Sequence, residues 1–189
     1  RILDDIVDEK TSLELRIERF NNIRDVFKQI YEQTNFDRKL IDQDEHGSIL
    51  NDMIIIADNN KIKRIILDDL IEGVGSDLKP KVYLSSVKDL LVYSYKVAGT
   101  VGLMMAKILN VKDKNSLKSA IDLGIAMQLT NISRDVIEDS KINRFYIDKN
   151  FEEISSTINL ADTFYENSFY SIKDIPISFR FSILVARRI

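Results

Sequence analysis

The chain has 189 residues, of which 44% are hydrophobic and 30% are charged, and it carries a formal net charge of −3 at pH 7. This length and composition fit one globular domain over residues 1–189. The slightly acidic balance gives no electrostatic basis for nucleic-acid binding, the absence of cysteine excludes disulfides and thiol chemistry, and no apolar run is long enough to span a bilayer.

Helical periodicity covers most of the sequence, and six glycines with two prolines leave few places that would interrupt it. We therefore predict an all-α fold. Residues 1 to about 33 are predicted to be helical with a break near Thr11, where Thr11 and Glu14 fit a capping box. The last turns before this break carry an acidic cluster made of Asp4, Asp5, Asp8 and Glu9.

The central part of the chain is predicted to contain three helices. Two of them cover residues 36–58 and 59–73, and the asparagine pair at 59–60 marks the break between them. Ser85 is then predicted to be the N-cap of a longer helix, which runs to about Asn110.

The last third of the chain begins with the helix that carries most of the polar chemistry. This helix is predicted from about Asn115 to Ser140, and residues 141–148 follow it as a loop. A further helix is predicted from about 151 to 172, and Pro176 is predicted to begin the last one.

One stripe of the 115–140 helix is polar, whereas the other faces are apolar. At 100° per residue the stripe falls within an arc of about 80°. Its members are Gly124, Gln128, Asn131, Asp135 and Asp139. Because apolar residues occupy the remaining faces, we expect this helix to be buried nearly all round.

Two carboxylate pairs share the same one-turn spacing, Asp4 with Asp8 and Asp135 with Asp139. Unpaired carboxylates at this spacing repel each other, and hard oxygen ligands grouped in this way suit Mg²⁺. An isolated pair of this kind is more often a solvated helix face. Two pairs, one of them within a polar stripe on an apolar helix, favour a metal site, and neither pair has the pattern of a calcium-binding helix-loop-helix.

The helix predicted from Ser85 has two distinctive faces. Tyr93 and Val97 lie on one of them, and Ala98, Gly102 and Ala106 follow another at four-residue steps. Small residues at this spacing allow either tight helix packing or the approach of a long ligand, and packing is the more frequent outcome. A buried tyrosine with a satisfied hydroxyl is likewise the more frequent outcome for Tyr93.

His46 is the only histidine, and it lies in a polar stretch. We predict a surface position for it. With one histidine and no cysteine, the sequence contains neither a histidine-based metal site nor a serine or cysteine triad.

Two segments form a recognisable pattern, YSYKVAGTVG at 93–102 and DLGIAMQLTNISRDVIED at 122–139. They resemble the squalene/phytoene synthase family, and the stretches around Gly102 and Gly124 are most like bacterial phytoene synthases. Residues 1–9 look like the first aspartate-rich motif of that family, and the segment that ends at Asp139 looks like the second. The segments at 70–73, 77–78 and 144–146 also fit the family pattern.

The resemblance implies an isoprenoid (prenyl) synthase fold, which is an all-α helical bundle with a central cavity. It further implies head-to-head condensation of two geranylgeranyl diphosphates to phytoene through a cyclopropyl diphosphate, a reaction of carotenoid biosynthesis. A squalene or dehydrosqualene synthase that uses farnesyl diphosphate is the alternative enzyme. A non-catalytic assembly or scaffold relative is the alternative of another class.

The resemblance also implies roles for individual residues. Mg²⁺, with Mn²⁺ as a substitute, would be held by Asp4, Asp8, Asp135 and Asp139, with Asn131 as a further oxygen ligand and with Asp5 and Glu138 in support. Arg1, Arg134 and Arg144 would face diphosphate oxygens. Tyr93, Gln128 and Asn131 would surround the reacting centre. The prenyl channel would be lined by Val97, Ala98, Gly99, Gly102 and Gly124.

The expected partners are a prenyl diphosphate substrate and no nucleic acid, and phytoene synthesis would need no nicotinamide cofactor. A cytoplasmic location is expected, and peripheral attachment to the inner membrane face is left open because the product would be a hydrocarbon. Since the chain begins with Arg1 and stops within an apolar helical pattern at Ile189, we expect it to be a fragment truncated at both ends.

Overall fold

The computed structural model describes residues 2–32 and 45–169, together with residues 177 and 180. Within these ranges the helices are α1 (Ile2–Val7), α2 (Leu13–Glu32), α3 (Glu45–Asn59), α4 (Arg64–Gly75), α5 (Val87–Ser94), α6 (Thr100–Ile108), α7 (Lys114–Lys141) and α8 (Phe151–Phe169). The prediction of an all-α fold is confirmed, and no helix in the described ranges is long and apolar enough to cross a membrane.

The first of two hydrophobic clusters joins α1, α2, α3 and α4. Helix α2 contributes Phe20, Ile23, Phe27 and Ile30, whose spacing of three and four residues places them on one face. Phe27 is 1% exposed and lies at the centre of this face. Burial of a side chain of this size contributes roughly 1.5–3 kcal/mol, so α2 is fixed chiefly by packing.

The second hydrophobic cluster joins α5, α7 and α8. Helix α7 contributes Ile125, Leu129, Ile132 and Val136, again at steps of four and three residues. Each of these residues follows a member of the polar stripe by one position, so the stripe lies along the border of the packed face. Val97 packs against both clusters and therefore lies between the two halves of the described bundle.

Helix α7 is less buried than its apolar sequence indicated. Met127 and Ile137 are 37% and 57% exposed, so the expectation of burial nearly all round was wrong for these two positions. The physical reason is that α7 packs against α8 on one side and against α6 and the segment before α6 on another. The remaining surface of α7 faces outward within the described part of the chain.

Several helix ends differ from the predicted ones by one to a few residues. Ser12, not Thr11, caps α2, because its hydroxyl oxygen accepts from the backbone N–H of Leu15. Ser86, not Ser85, caps α5 by accepting from the N–H of Asp89. Asp113 caps α7, whose helix begins before the predicted Asn115. Adjacent residues of equal capping ability are difficult to separate from sequence alone.

The other boundaries follow the predictions in part. The break near Asn59 extends to Lys63, so α4 begins at Arg64 and not at residue 59. Residues 36–44 and the helix expected after Pro176 lie outside the described residues, apart from 177 and 180. The side chain of His46 lies outside them as well.

The helix predicted from 85 to 110 contains a π-helical segment, Tyr95–Gly99, between α5 and α6. This segment inserts a wider turn next to Tyr93, and such turns often accompany functional sites. Helix α6 then ends at Ile108, two residues before the predicted end. A single π turn shifts the apolar pattern only over this five-residue segment, which is too short for the periodicity to indicate it.

Residues 141–148, predicted as a loop, contain a short strand. Strand β2 (Arg144–Phe145) pairs in parallel with β1 (Val82–Tyr83), and Val82 lies opposite Arg144. The N–H of Val82 donates to the carbonyl of Asn143 at 2.9 Å. This pairing fixes Arg144 and the chain that follows α4 next to each other.

Candidate active site

The two acidic motifs meet at one cavity of about 320 Å³, which we call the acidic cavity. Its wall is formed by residues of α1, α4, α5, the π-helical segment, α7 and β2, and of the segments that directly follow α1, α4 and β2. The residues that line it are Asp4, Val7, Asp8, Val74, Asp77, Tyr93, Val97, Gln128, Asn131, Ile132, Asp135, Asp139, Arg144 and Tyr146.

Asp4 lies on α1 and Asp8 directly follows it, and the buried Val7 anchors this helix in the first cluster. The N–H of Asp8 donates to the carbonyl of Asp4 at 2.9 Å, so the two carboxylates lie one turn apart. Arg144 Nη2 donates to Asp8 Oδ1 at 2.8 Å, across 136 positions of the chain. This ion pair joins α1 to the segment after α7.

Asp135 and Asp139 are placed by the C-terminal half of α7, and they differ in their electrostatic surroundings. The Arg134 guanidinium donates two hydrogen bonds to Asp135, at 2.7 and 2.6 Å, and holds the pKa of Asp135 below its usual range. Burial is the main cause that raises the pKa of Asp139 to about 6, while the charge of Arg144 lowers it and the nearby carboxylates of Asp135, Asp77 and Asp8 raise it.

Three residues form a hydrogen-bonded group at the wall of the acidic cavity. The Tyr93 hydroxyl donates to Asp77 Oδ2 at 2.7 Å, and it lies 3.0 Å from the Tyr146 hydroxyl. The rings of Tyr93 and Tyr146 stack with centroids 4.8 Å apart and an interplanar angle of 23°. Burial is the main cause of the raised pKa of both phenols, which therefore stay protonated at neutral pH.

A second, larger cavity of about 860 Å³ adjoins the first at Tyr93. Apolar residues such as Phe20, Phe27 and Ile71 line part of it, and charged side chains such as Arg24 and Lys28 line the rest. Tyr93 lines both cavities and therefore lies between the acidic cavity and the larger, partly apolar one.

A family model described as squalene/phytoene synthase matches residues 1–150. This range includes every residue that lines the acidic cavity. The chain belongs to this family. The prediction made from the two aspartate motifs and the segments between them is thereby confirmed.

The most similar curated relatives include two bacterial phytoene synthases. The 15-cis-phytoene synthase of Paracoccus sp. (strain N81106 / MBIC 01143) is 37% identical over 139 residues, which are 64% of this chain and 45% of the relative. The 15-cis-phytoene synthase of Pantoea ananas is 48% identical over 79 residues, which are 42% of this chain and 25% of the relative. The chain spans less than half of the length of these relatives.

Solved structures confirm the isoprenoid synthase bundle. The squalene synthase HpnC from Alicyclobacillus acidocaldarius has a TM-score of 0.76 at 14% identity, and the match covers 98% of this chain and 74% of that one. A dehydrosqualene synthase in complex with a ligand has a TM-score of 0.73 at 25% identity, with 98% and 70% covered.

The donor set of this squalene/phytoene synthase family member fits a hard divalent cation, although it is not a closed metal site. In residues 2–32 and 45–169, no three acidic, histidine or cysteine side chains form a ready-made metal-binding group. Mg²⁺ typically takes one or two carboxylates and completes its shell with water and substrate phosphate, so such a group is not required. The four predicted aspartate ligands and Asn131 at the cavity wall supply the hard oxygen donors that such a cation prefers.

The other predicted site residues are distributed as follows. Arg134 points its exposed guanidinium at Asp135 and is not part of the cavity wall. Asp5 and Glu138 are exposed and also lie outside that wall, and Glu138 pairs with Lys141 at 3.6 Å. Arg1 lies outside the described residues, and the roles of all four remain predictions.

The glycines predicted for the prenyl channel lie at helix contacts. A Cβ on Gly102 would overlap the carbonyl oxygen of Ala120, and a Cβ on Gly124 would overlap that of Ala98. Gly99 is buried against side chains of α7. The structure accounts for Gly102 and Gly124 by close packing, which the four-residue spacing also allowed, and their role in a channel remains a prediction.

Two polar residues of the wall, Asp77 and Tyr146, were not among the predicted site residues. Both lie in segments that resemble the family, but neither lies on the polar stripe or in an aspartate pair. Their hydrogen bonds to Tyr93 span 16 and 53 positions of the chain. The family segments at 77–78 and 144–146 were the available signal, and periodicity contained none.

Proposed function

We propose that this chain belongs to a phytoene synthase, which condenses two geranylgeranyl diphosphates head to head to give phytoene in carotenoid biosynthesis. The observation that carries the proposal is that α1 and α7 bring Asp4, Asp8, Asp135 and Asp139 to the wall of one cavity. The named phytoene synthases among the relatives favour this substrate class.

In the proposed reaction, the acidic cavity binds the diphosphate groups. Asp4, Asp8, Asp135 and Asp139 would hold Mg²⁺, with Mn²⁺ as a substitute, and Asn131 would offer a further oxygen ligand. A cation held there would supply positive charge that offsets the charge of the departing diphosphate. Arg144, whose side chain is only 13% exposed, lies where its positive charge also favours an anion in the cavity.

The residues that face the reacting carbons have a different task. Tyr93, Gln128 and Val97 surround the space next to the carboxylates and limit its access to water. Loss of diphosphate leaves an allylic cation, which the double bond of the second substrate captures, and loss of a proton from the resulting cation closes the ring of a cyclopropyl diphosphate. A second loss of diphosphate, rearrangement and proton loss then give phytoene with no nicotinamide cofactor.

A squalene or dehydrosqualene synthase is the second candidate, since the fold neighbours carry those names. It would use farnesyl diphosphate in the same cavity. A scaffold relative without catalysis is the third possibility, and the presence of both aspartate pairs in one cavity is the observation against it. In each enzymatic case, peripheral contact with the inner membrane face would serve release of an apolar product.

The test uses the full-length protein that contains this sequence. It is incubated with MgCl₂ and either geranylgeranyl or farnesyl diphosphate, and the apolar extract is analysed by mass spectrometry. A forty-carbon hydrocarbon from the first substrate alone supports the proposal, and a thirty-carbon product from the second supports the alternative. A folded protein with no product from either substrate contradicts both.

The variant Asp135→Asn tests the proposed metal site. It should lower turnover by at least about a hundredfold, because loss of one charged group that stabilises a developing charge has effects of this size. Asp162→Asn, on the exposed surface of α8, is the control and should retain full turnover. Near-normal turnover of Asp135→Asn would contradict the proposed site.

A further inference from the structure

Asp77 is held at the acidic cavity by the turn that ends α4. The N–H groups of Asp77 and Leu78 donate to the carbonyls of Val74 and Gly75, at 3.2 and 3.1 Å. Strand β1 follows a few residues later and is paired with β2, which leads directly into Tyr146. The backbone therefore fixes Asp77 and Tyr146 on the same side of Tyr93.

The hydrogen bonds among these three side chains have a defined direction. Each phenol has one proton to donate, and a carboxylate only accepts. The Tyr93 hydroxyl is within hydrogen-bonding distance of both Asp77 Oδ2, at 2.7 Å, and the Tyr146 hydroxyl, at 3.0 Å, and Tyr146 is itself hydrogen-bonded to Asp77. The carboxylate is the stronger acceptor and makes the shorter contact, so the Tyr93 proton is assigned to Asp77.

The direction of this hydrogen bond determines what Tyr93 presents to the cavity. Its single proton is directed to Asp77, so the hydroxyl has no proton left to donate to a diphosphate oxygen. The oxygen lone pairs and the ring face that does not stack on Tyr146 remain for a substrate. Both are electron-rich, and the face of an aromatic ring attracts a cation.

We propose that Asp77 is a positioning residue for Tyr93, which it holds so that the tyrosine offers its oxygen lone pair and ring to the substrate carbocation and donates nothing to the diphosphate. The inference rests on the proposed prenyl diphosphate chemistry. It adds a role for Asp77 and states which group accepts the proton of the Tyr93 hydroxyl.

The main alternative is that Asp77 is itself a metal ligand. Its second oxygen, Oδ1, is buried and accepts no hydrogen bond within the described part of the chain. Burial raises the pKa of Asp77, although the hydrogen bond from Tyr93 and the charge of Arg144 favour its ionised form. A metal role and a positioning role predict different results for Mg²⁺ affinity.

The experiment compares full-length wild type with Asp77→Asn, Tyr93→Phe and the double variant. Turnover and KM are measured with geranylgeranyl diphosphate at saturating MgCl₂, and the affinity for MgCl₂ alone is measured by titration calorimetry. Asp77→Asn should lower kcat by about ten- to hundredfold, the usual effect of removing a partner that orients a reacting group. KM and the Mg²⁺ dissociation constant should each stay within about twofold.

The double variant separates positioning from independent effects. If Asp77 acts through the Tyr93 hydroxyl, adding Asp77→Asn to Tyr93→Phe should cause no further loss of kcat. Asp77→Glu keeps the acceptor and should recover part of the turnover. Should Asp77→Asn fail to fold, Asp77→Ser removes the carboxylate with a smaller side chain and is compared in the same way.

A spectroscopic readout keeps this inference distinct from the reaction itself. In protein labelled with ¹³Cζ-tyrosine, the Tyr93 signal, assigned by its loss in Tyr93→Phe, should shift in Asp77→Asn. If the wild type makes no product yet this signal shifts, the reaction is refuted and the hydrogen bond stands. Unchanged kcat in Asp77→Asn, additive losses in the double variant, an unshifted signal or a tenfold loss of Mg²⁺ affinity would each overturn the positioning role.

Discussion

Asp139→Asn should make the protein more stable at neutral pH, although it removes a residue of the proposed site. The folded state raises the pKa of Asp139 from its ordinary value of 3.8 to about 6, chiefly through burial. The charged form is therefore disfavoured by folding. The stability that the neutral form provides is fully present below pH 3.8 and is lost as the pH rises through about 6.

The magnitude follows from the size of this change. A tenfold change in proton affinity is worth about 1.4 kcal/mol, which sets an upper limit of about 3 kcal/mol for Asp139. Because the carboxyl is partly open to solvent, water screens it, and we expect a gain of about 1–2 kcal/mol for Asp139→Asn at pH 7–8. The gain should disappear near pH 4, where the wild-type side chain is neutral.

The assay is urea unfolding followed by far-ultraviolet circular dichroism, from pH 4 to pH 8 and without divalent cations. Asp162→Asn is the control, since it replaces an exposed carboxylate on α8 and should change stability by less than about 0.5 kcal/mol at every pH. A variant that is less stable than wild type at pH 7, or a difference that does not change with pH, would refute the reasoning. Added MgCl₂ should narrow the difference, because it stabilises the wild type more.

Three further substitutions test the packing and the ion pair. Gly102→Ala should destabilise the protein by about 1–3 kcal/mol in thermal unfolding, since its methyl group would overlap the backbone of Ala120; an increase in stability would contradict the close helix contact. Phe27→Ala should cost about 3–5 kcal/mol in the same assay, and a loss below 1 kcal/mol would be inconsistent with its burial. Arg144→Met should speed amide hydrogen exchange in α1, because it removes the bond to Asp8, whereas unchanged exchange would show that α1 is held by other contacts.

The sequence was sufficient to predict the helices and the part of the site that lies on α7. The three- and four-residue spacing of apolar positions predicted α2 and α7, and the same spacing located the stripe that ends at Asp139. These are local features, since one face of a helix is set by residues within a few turns. The family resemblance then placed the Asp4 and Asp139 motifs in one cavity.

Other parts of the site depend on contacts between distant segments. The contact of Asp77 and Tyr146 with Tyr93 follows from the β1–β2 pairing, whose strands have two residues each and no detectable alternation. The close packing at Gly124 requires knowledge of which helix lies opposite. The π-helical segment, Tyr95–Gly99, has the composition of an ordinary helix. None of these features leaves a periodic trace in one sequence.

The ion pair between Asp8 and Arg144 has a consequence for the order of folding. It closes a loop of 136 positions, and the entropy lost on closing a loop increases with its length. Contacts within α7 and between α7 and α8 are local in sequence and can form early. During refolding, helical signal should therefore return before the acidic cavity is complete, and recovery of ligand binding should lag behind recovery of helix content.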